Sequence, residues 1–434
     1  MKPVVPGLLM LSLILLGSEC LAKTYVVKPG QRIQAVLDLA EPGSEILLEY
    51  GRYDENLVIR KDLTLRGVRK NNLRPVLSGN NRADVIRIQS PDVHIEQLII
   101  RDSGDQLKQQ NAGVYIWPGS HRAQVRYCDL SYNLFGLWIE KSDDVLIENN
   151  LITGKREYNS ALRGNGVQLY NTQRARIIGN QISFVRDALY VDVSHNAIFK
   201  NNRLHHSRYG THYMNSYHNL WEGNDSYANR GGLALMEVRD NIVRNNRTWG
   251  NSDHGIMLRT MQDSQVENNV IAGNQRGLFI YDAEYLKLQG NLIIDNQVGV
   301  HLAAGSTHNQ VDNNDFIGNR QQVRYVGSRN EVWGGALGNF WSNYLGWDKN
   351  SDQRGDIPYE ANDLVDRLTW RYPLSRLLHS SPSVQSLRLL SRQFPLLHVP
   401  GVTETHPRMR TQFDDAQRWL GRHFDQVRTQ GRLP

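Results

Sequence analysis

A phrase that returns every 22–23 residues constrains this chain more than any other feature. It reads apolar, polar, Asn, Asn, any residue, apolar, as in Ile147-Glu148-Asn149-Asn150, Val243-Arg244-Asn245-Asn246, Val266-Glu267-Asn268-Asn269 and Val311-Asp312-Asn313-Asn314. The second Asn falls at 150, 180, 202, 224, 246, 269, 291 and 314, in steps of 30, 22, 22, 22, 23, 22 and 23. Cys128 fills the same slot 22 residues before Asn150, and Leu98 fills it 30 residues earlier still. A second phrase keeps time with the first: a Gly slot at 113, 136, 166, 188 (Ala here), 210, 232, 255, 277 and 299, with apolar residues one and three places later. Pairs such as Val114/Ile116, Leu137/Ile139, Leu233/Leu235 and Leu278/Ile280 alternate with period two, which makes short strands with one buried face. Short strands on a 22–23-residue period, without helical spacing, predict a solenoid whose coils stack about 4.8 Å apart. The Asn slot then becomes a ladder of amides bonding from coil to coil. The expected fold is all-β: a right-handed parallel β-helix over residues 23–335, opened by an N-terminal cap. A propeller is the competing all-β architecture, but its blades need roughly 40 residues or more each.

The ends depart from the repeat. Residues 1–22 read as a signal peptide, with Lys2 as its basic start, Leu8 to Leu16 as its apolar stretch and Cys20-Leu21-Ala22 placing small residues for cleavage near Ala22. That apolar run is too short for a good transmembrane helix, and no later segment is long and apolar enough, so the chain is not expected to be transmembrane itself. Cleavage leaves Cys128 as the single cysteine, so no internal disulfide holds the mature fold. Gln31 to Leu39 forms a short amphipathic helix before the Glu41-Pro42-Gly43 turn, suited to capping the first coil. Residues 336–434 form an irregular and helical extension. It holds the aromatics Phe340, Trp341, Tyr344, Trp347 and Trp370, then a helix starting at Ser381-Pro382 with Val384, Leu387 and Leu390 on one face. Phe413, Ala416, Leu420, Phe424 and Val427 predict another amphipathic helix, and six arginines between 408 and 432 make the tail basic. The two 30-residue steps place insertions around 103–111 and 154–164 at the same turn of the coil. They read either as tolerated loop growth or as an edge for docking a partner.

If the residues at +1 and +3 after the Gly slot point inward, those at +2 and +4 point outward. The +2 column reads Tyr115, Trp138, Gln168, Tyr190, His212, Ala234, Met257, Phe279 and His301. The +4 column reads Trp117, Glu140, Tyr170, Asp192, Met214, Met236, Arg259, Tyr281 and Ala303. This face is unusually rich in aromatics and methionine for a solvated sheet, which predicts a cover: the C-terminal segment or another protein. Met214, Met236 and Met257 fall on it in three successive coils, with His212 beside Met214 and Met261 just past Met257. Thioether sulfur with imidazole suits Cu(I), whereas oxygen-rich sites suit calcium or magnesium. Met214, Met236, His212 and Met257 are therefore the candidate Cu(I) ligands, against the alternative that the methionines fill space beneath a cover.

Weaker candidates remain. His205, His206 and His218 lie nearby, but their phase puts some of them on another face. Asp348, Asn350, Asp352 and Asp356 resemble the start of a calcium loop, but Tyr359 stands where the bidentate Glu belongs, so a capped turn is preferred. The net charge of +6 is small for 434 residues and argues against nucleic-acid binding. A secreted β-helix polysaccharide lyase or epimerase is the alternative function. That chemistry needs clustered carboxylates and a base in a groove, whereas outward Glu140, Asp192 and Arg259 are read as scattered, and Asp253-His254 lacks the Pro and second Asp of an epimerase-like motif.

Ile33-Gln34-Ala35, Pro42-Gly43-Ser44 and Gly51-Arg52-Tyr53-Asp54-Glu55-Asn56 look like the opening of secreted β-helix proteins in general. Gly210-Thr-His-Tyr-Met214, Gly232-Leu-Ala-Leu-Met236 and Asn339-Phe-Trp-Ser-Asn-Tyr-Leu-Gly-Trp-Asp348, running on to Gly355-Asp-Ile-Pro-Tyr359, narrow the match. Together they resemble the NosD family, periplasmic copper-handling proteins of nitrous oxide reductase maturation, over about 24–407. The resemblance implies a non-enzymatic accessory protein working with the permease and cytoplasmic ATPase of an ABC transporter. It implies that copper arrives from a copper chaperone lipoprotein and goes to nitrous oxide reductase. It also implies that the region after the β-helix meets the permease, for which the helix after Ser381 is the natural candidate.

Overall fold

The computed structural model describes residues 23–413, apart from 304, 328, 330, scattered positions in 363–380, and 394–400. The signal peptide, Trp370 and the predicted helix beyond Phe413 lie outside the described residues.

The chain winds as a right-handed parallel β-helix. Among the described residues it builds three long parallel sheets of thirteen, twelve and nine strands; most coils give one strand to each, and in the first coils a separate three-strand sheet (Arg52–Asp54, Val76–Ser78 and Ile99–Arg101) stands in the place of the nine-strand one. One coil illustrates the path: Asp187–Asp192 in the twelve-strand sheet, Ile198–Lys200 in the thirteen-strand sheet, Arg203–His205 in the nine-strand sheet, then Tyr209–Met214 beside Asp187–Asp192. Helix α1, Ile33–Leu39, caps the start and buries Ile33 and Leu37 on the first coils. A one-residue register slip would turn every apolar side chain outward, so the alternation also fixes the pairing.

The Asn repeat forms two structures at once. The first Asn of each pair is left-handed (Asn149, Asn201, Asn245, Asn268 and Asn313 at φ +53 to +56), a conformation that Asn tolerates better than most side chains. Where that Asn is missing, Gly179, Gly223 and Gly290 take its place with φ of +64 to +67. The second Asn turns inward to the ladder. Asn202 Nδ2 donates to Asn224 Oδ1 at 3.0 Å and to Ile177 O at 2.8 Å, and its backbone N–H donates to Asn224 Oδ1 at 3.0 Å. The same contacts repeat from Asn150 to Asn339, and Cys128 N donates to Asn150 Oδ1 at the start. Cys128 is buried, and burial pushes its thiol up to about 12, as befits a spacer. The ladder ends on a carboxylate: Glu404 accepts from Asn339 N at 2.6 Å, Asn339 Nδ2 at 3.0 Å and Trp341 Nε1 at 2.7 Å.

The C-terminal residues close the last coil. Val402–Glu404 pairs with Glu331–Trp333 and Tyr359–Glu360, and Trp341 stacks between Phe316 and Tyr359 at 4.1 and 4.3 Å. Arg408, Thr411 and Gln412 then converge on buried Asp315, and Phe413 packs against the outer side of the nine-strand sheet near Trp249 and Leu292. Helix α2, Pro382–Gln393, forms where the Ser381-Pro382 start signal places it, with Leu390 exposed. The two insertions meet: Lys155 of the second pairs with Asp105 of the first, and Tyr158 donates to Asp105 at 2.9 Å.

Candidate metal centre

The site lies on the outer face of the twelve-strand sheet. Tyr209–Met214, Gly231–Arg239 and His254–Gln262 run side by side there, because their inward residues Thr211, Leu233, Ile256 and the rest fill the core. Register places Met214 directly beside Met236, on neighbouring strands about 4.8 Å apart. Asp192 precedes this pair in the column and Arg259 follows it, so the thioether row is two long. His212, Ala234 and Met257 form the adjacent column. All four candidate ligands are thus on one patch, half-buried, with Ala234 separating His212 from Met257.

Met261 does not join them. Left-handed Glu237 (φ +54) and Thr260 (φ +48) interrupt the alternation, so Val238 and Met261 turn inward as partners. Met261 is 0% exposed and belongs to the core.

His212 is held from behind. Its Nδ1 lies 3.2 Å from Asp187 Oδ2, and Arg208 also binds that carboxylate. Burial works to raise the Asp187 pKa, but the bonds from His212 and Arg208 outweigh it and keep the group below the ordinary carboxylate range. Arg208 Nη2 also lies 3.2 Å from the His212 Nδ1, so the Asp187–Arg208 pair holds one ring nitrogen and leaves Nε2 for another partner; a carboxylate on the far nitrogen is commonly found behind metal-binding histidines. Tyr190 and Tyr209 pack on the ring at 4.8 and 5.5 Å.

Little in the sequence singles out His254, which stands there only as part of a broken epimerase motif. His254 is 0% exposed, among the described residues neither ring nitrogen has a partner within hydrogen-bond distance, and the neighbouring acid, Asp253, is 3.6 Å away. It lies over Gly231, where even a Cβ would meet its Nε2. Burial holds its pKa down. His205 and His206 sit around the corner, at the end of a nine-strand-sheet strand, as their phase required. Their Nδ1 atoms are 2.8 Å apart; His206 stacks on Phe184 and His205 on Tyr227, both at 4.9 Å. Burial pushes the His205 pKa down to about 4. His218 is exposed and faces Asp240 at 3.8 Å.

Two expectations need correction. Glu140 and Asp192 are not scattered: they line one groove of about 430 Å³ together with Asp187, Trp138, Tyr170 and Tyr190, while Arg259 stands apart from it. Of the two covers expected for the outer face, residues 408–413 do not supply one, since they run to the nine-strand sheet. The 348–356 loop is a self-capped turn in which Asp348 accepts from Asp352 N and Gln353 N, and Asp356 accepts from Lys349 N. Among the described residues no three of His, Cys, Asp and Glu converge to hold a metal.

A family model described as "Periplasmic copper-binding protein (NosD)" matches residues 148–346. A Pseudomonas aeruginosa protein named "Probable ABC transporter binding protein NosD" is 36% identical over 378 residues, 84% of this chain and 87% of that protein. Its Stutzerimonas stutzeri namesake is 35% identical over 381 residues, 84% of this chain and 86% of that protein. Among solved structures, the Streptococcus pneumoniae surface adhesin PfbA matches 68% of this chain and 87% of its own at 12% identity and a TM-score of 0.52. A Yersinia enterocolitica family 28 exopolygalacturonase matches 70% and 77%, again at 12% identity and 0.52. These two likenesses concern the fold alone.

Proposed function

The chain belongs to the NosD family of periplasmic copper-binding proteins, and on that premise we propose that it is a delivery station for Cu(I) in nitrous oxide reductase maturation. In this reading copper is cargo. It arrives from a copper chaperone lipoprotein, rests on Met214, Met236, His212 and Met257, and passes to the apo-reductase while the chain is docked on an ABC transporter. The observation that carries the reading is the register of Met214 beside Met236, next to a histidine whose Nδ1 is anchored on Asp187. Thioether is a modest ligand for a soft ion, which favours release over storage. A half-exposed site on a flat sheet also leaves room for a receiving protein's ligands.

Docking on a transporter accords with the relatives' printed names. No helix among the described residues is long and apolar enough to cross a membrane. The C-terminal region does expose Leu345 (94%), Leu374 (82%) and Trp347 (61%), an apolar surface that a permease would cover. Leu345→Ser, Trp347→Ser and Leu374→Ser together should release the chain from the transporter, as should removing residues 381–434; a complex intact in both variants would discard this docking site.

X-ray absorption at the copper edge tests the site itself. Loaded anaerobically with one equivalent of Cu(I), the chain should give a mixed sulfur and nitrogen shell, and Met214→Ala with Met236→Ala should lower its sulfur count to at most the one thioether of Met257. A sulfur-free shell in the unaltered chain would reject the methionine ligands. The groove beside Asp187 keeps one competing reading testable. Release of unsaturated uronate from an acidic polysaccharide, lost in Asp187→Asn, would make the chain an enzyme instead.

A further inference from the structure

We propose that His205 and His206 form a second Cu(I) station, a two-coordinate site on the nine-strand sheet one corner away from the methionine patch. The inference rests on the reading of Cu(I) as cargo, and adds a site and a direction of travel to it. The two rings are consecutive in sequence yet face each other edge to edge, Nδ1 to Nδ1 at 2.8 Å. That is possible because His205 ends its strand and His206 adopts a left-handed φ of +55. Each ring is clamped by an aromatic face: Phe184 on His206, and Tyr227 on His205 with Trp249 behind it at 4.6 Å. The clamps hold each ring by its face.

At rest the two nitrogens share one proton, an N–H of one ring bonded to the lone pair of the other. A monovalent cation can take that proton's place. The displaced proton moves to Nε2 of the same ring, so each imidazole stays neutral, both Nδ1 lone pairs turn to the metal, and no proton is lost. Metal–imidazole bonds of about 2.0 Å require the nitrogens to open to roughly 4 Å, a modest rotation for two half-buried rings. The set discriminates by coordination number. Zinc needs four ligands, and among the described residues no third His, Cys, Asp or Glu joins this pair. Two neutral nitrogens in opposition suit Cu(I), which accepts two-fold coordination. The guanidinium of Arg156, 4.0 Å from the Phe184 ring, adds a repulsive charge nearby and keeps the cation loosely held.

The location gives the pair a use. His206 and His212 are six residues apart on one chain segment, at most about 20 Å at 3.3 Å per residue. Ser207 and Arg208 turn the corner between them, and Arg208 holds the Asp187 that anchors His212. Copper captured at the imidazole pair on one face can thus be handed to the thioether patch on the next without leaving this coil.

An anaerobic Cu(I) titration against a chromogenic competitor tests this on three proteins of the mature chain. The unaltered protein should bind two equivalents. Met214→Ala with Met236→Ala should bind one, in a two-coordinate nitrogen shell. His205→Phe with His206→Phe, which keeps the stacking, should also bind one, with sulfur in its shell. One equivalent in the unaltered protein that only the methionine substitutions remove would overturn the second station and leave the copper reading intact. One equivalent that only the histidine substitutions remove would keep the pair and reject the methionine ligands. No binding by the unaltered protein would overturn both. If the double phenylalanine variant fails to fold, His206→Gln alone should weaken its equivalent at least tenfold, and an unchanged affinity overturns the proposal.

Discussion

The inner and outer faces of the twelve-strand sheet share the same strands but obey different chemistry. Inward, Leu189, Leu233, Leu235, Ile256, Leu258 and Leu278 are buried and interchangeable in kind. Outward, the same strands present Tyr190, His212, Met214, Met236, Met257 and Phe279, a varied set with its own anchoring network. Methionine stands on both faces: Met261 packs inside at 0% exposure, while Met257, four residues earlier on the same strand, stands outside. The difference teaches that residue type alone does not assign a role here. The face does, and a left-handed residue between the two methionines decides the face.

Perturbing each side should separate stability from copper. The largest effect is expected inside: Met261→Ala should cost about 2–5 kcal/mol by leaving a cavity, read as a lower midpoint in denaturant with copper stoichiometry unchanged. Asn246→Ala comes next. It leaves the N–H and Nδ2 of Asn224 without their acceptor and the Trp221 carbonyl without its donor, and at about 1–3 kcal/mol for a buried group left unpaired its cost falls in the same range as that of Met261→Ala. Glu404→Gln should cost about 1–3 kcal/mol, because both carboxylate oxygens accept from N–H groups and an amide NH₂ would face a donor. Outside, Asp187→Asn should leave the fold in place and weaken Cu(I) affinity about 10–100-fold by freeing the His212 ring. An unchanged affinity there would remove His212 from the ligand set.

A smaller effect should appear with pH. Burial and the nearby Arg276 and Arg324 push the His301 pKa down to about 4. A histidine depressed in the folded state stabilises above its unfolded value near 6.5, and that stability is lost as pH falls towards 4. His301→Phe should therefore flatten the loss of stability between pH 6.5 and 4, and identical slopes would contradict the assignment.

The repeat made the solenoid legible because each Asn does two jobs that spacing reveals, a left-handed turn and a ladder rung. Two further ladders were not read. Asn229, Asn251, Asn274, Asn296 and Asn319 bond coil to coil at the next corner, and Ser142, Ser194, Ser216 and Ser264 accept backbone N–H groups at the third. The Asn series keeps the same 22–23-residue step and was open to the same reading, whereas the phrases of the Ser series vary, since any short acceptor serves, and so no single letter repeats there. The outward columns were legible from alternation alone, which is why His212, Met214, Met236 and Met257 emerge on one patch. His254 was not, because its lack of a hydrogen-bond partner depends on Gly231 one coil earlier. Nor was the groove uniting Glu140, Asp187 and Asp192, which forms only across coils separated by an insertion.

The central claim is that outer methionines hold copper while inner ones hold the fold. An anaerobic Cu(I) competition titration paired with thermal unfolding tests it, comparing Met214→Ala plus Met236→Ala with Met261→Ala. The account predicts that the outer pair loses one copper equivalent and keeps its melting temperature within a few degrees, whereas Met261→Ala melts well below the unaltered chain and keeps its copper. Full copper binding by the outer double variant, with a lowered melting temperature, would contradict the account and make those methionines packing alone.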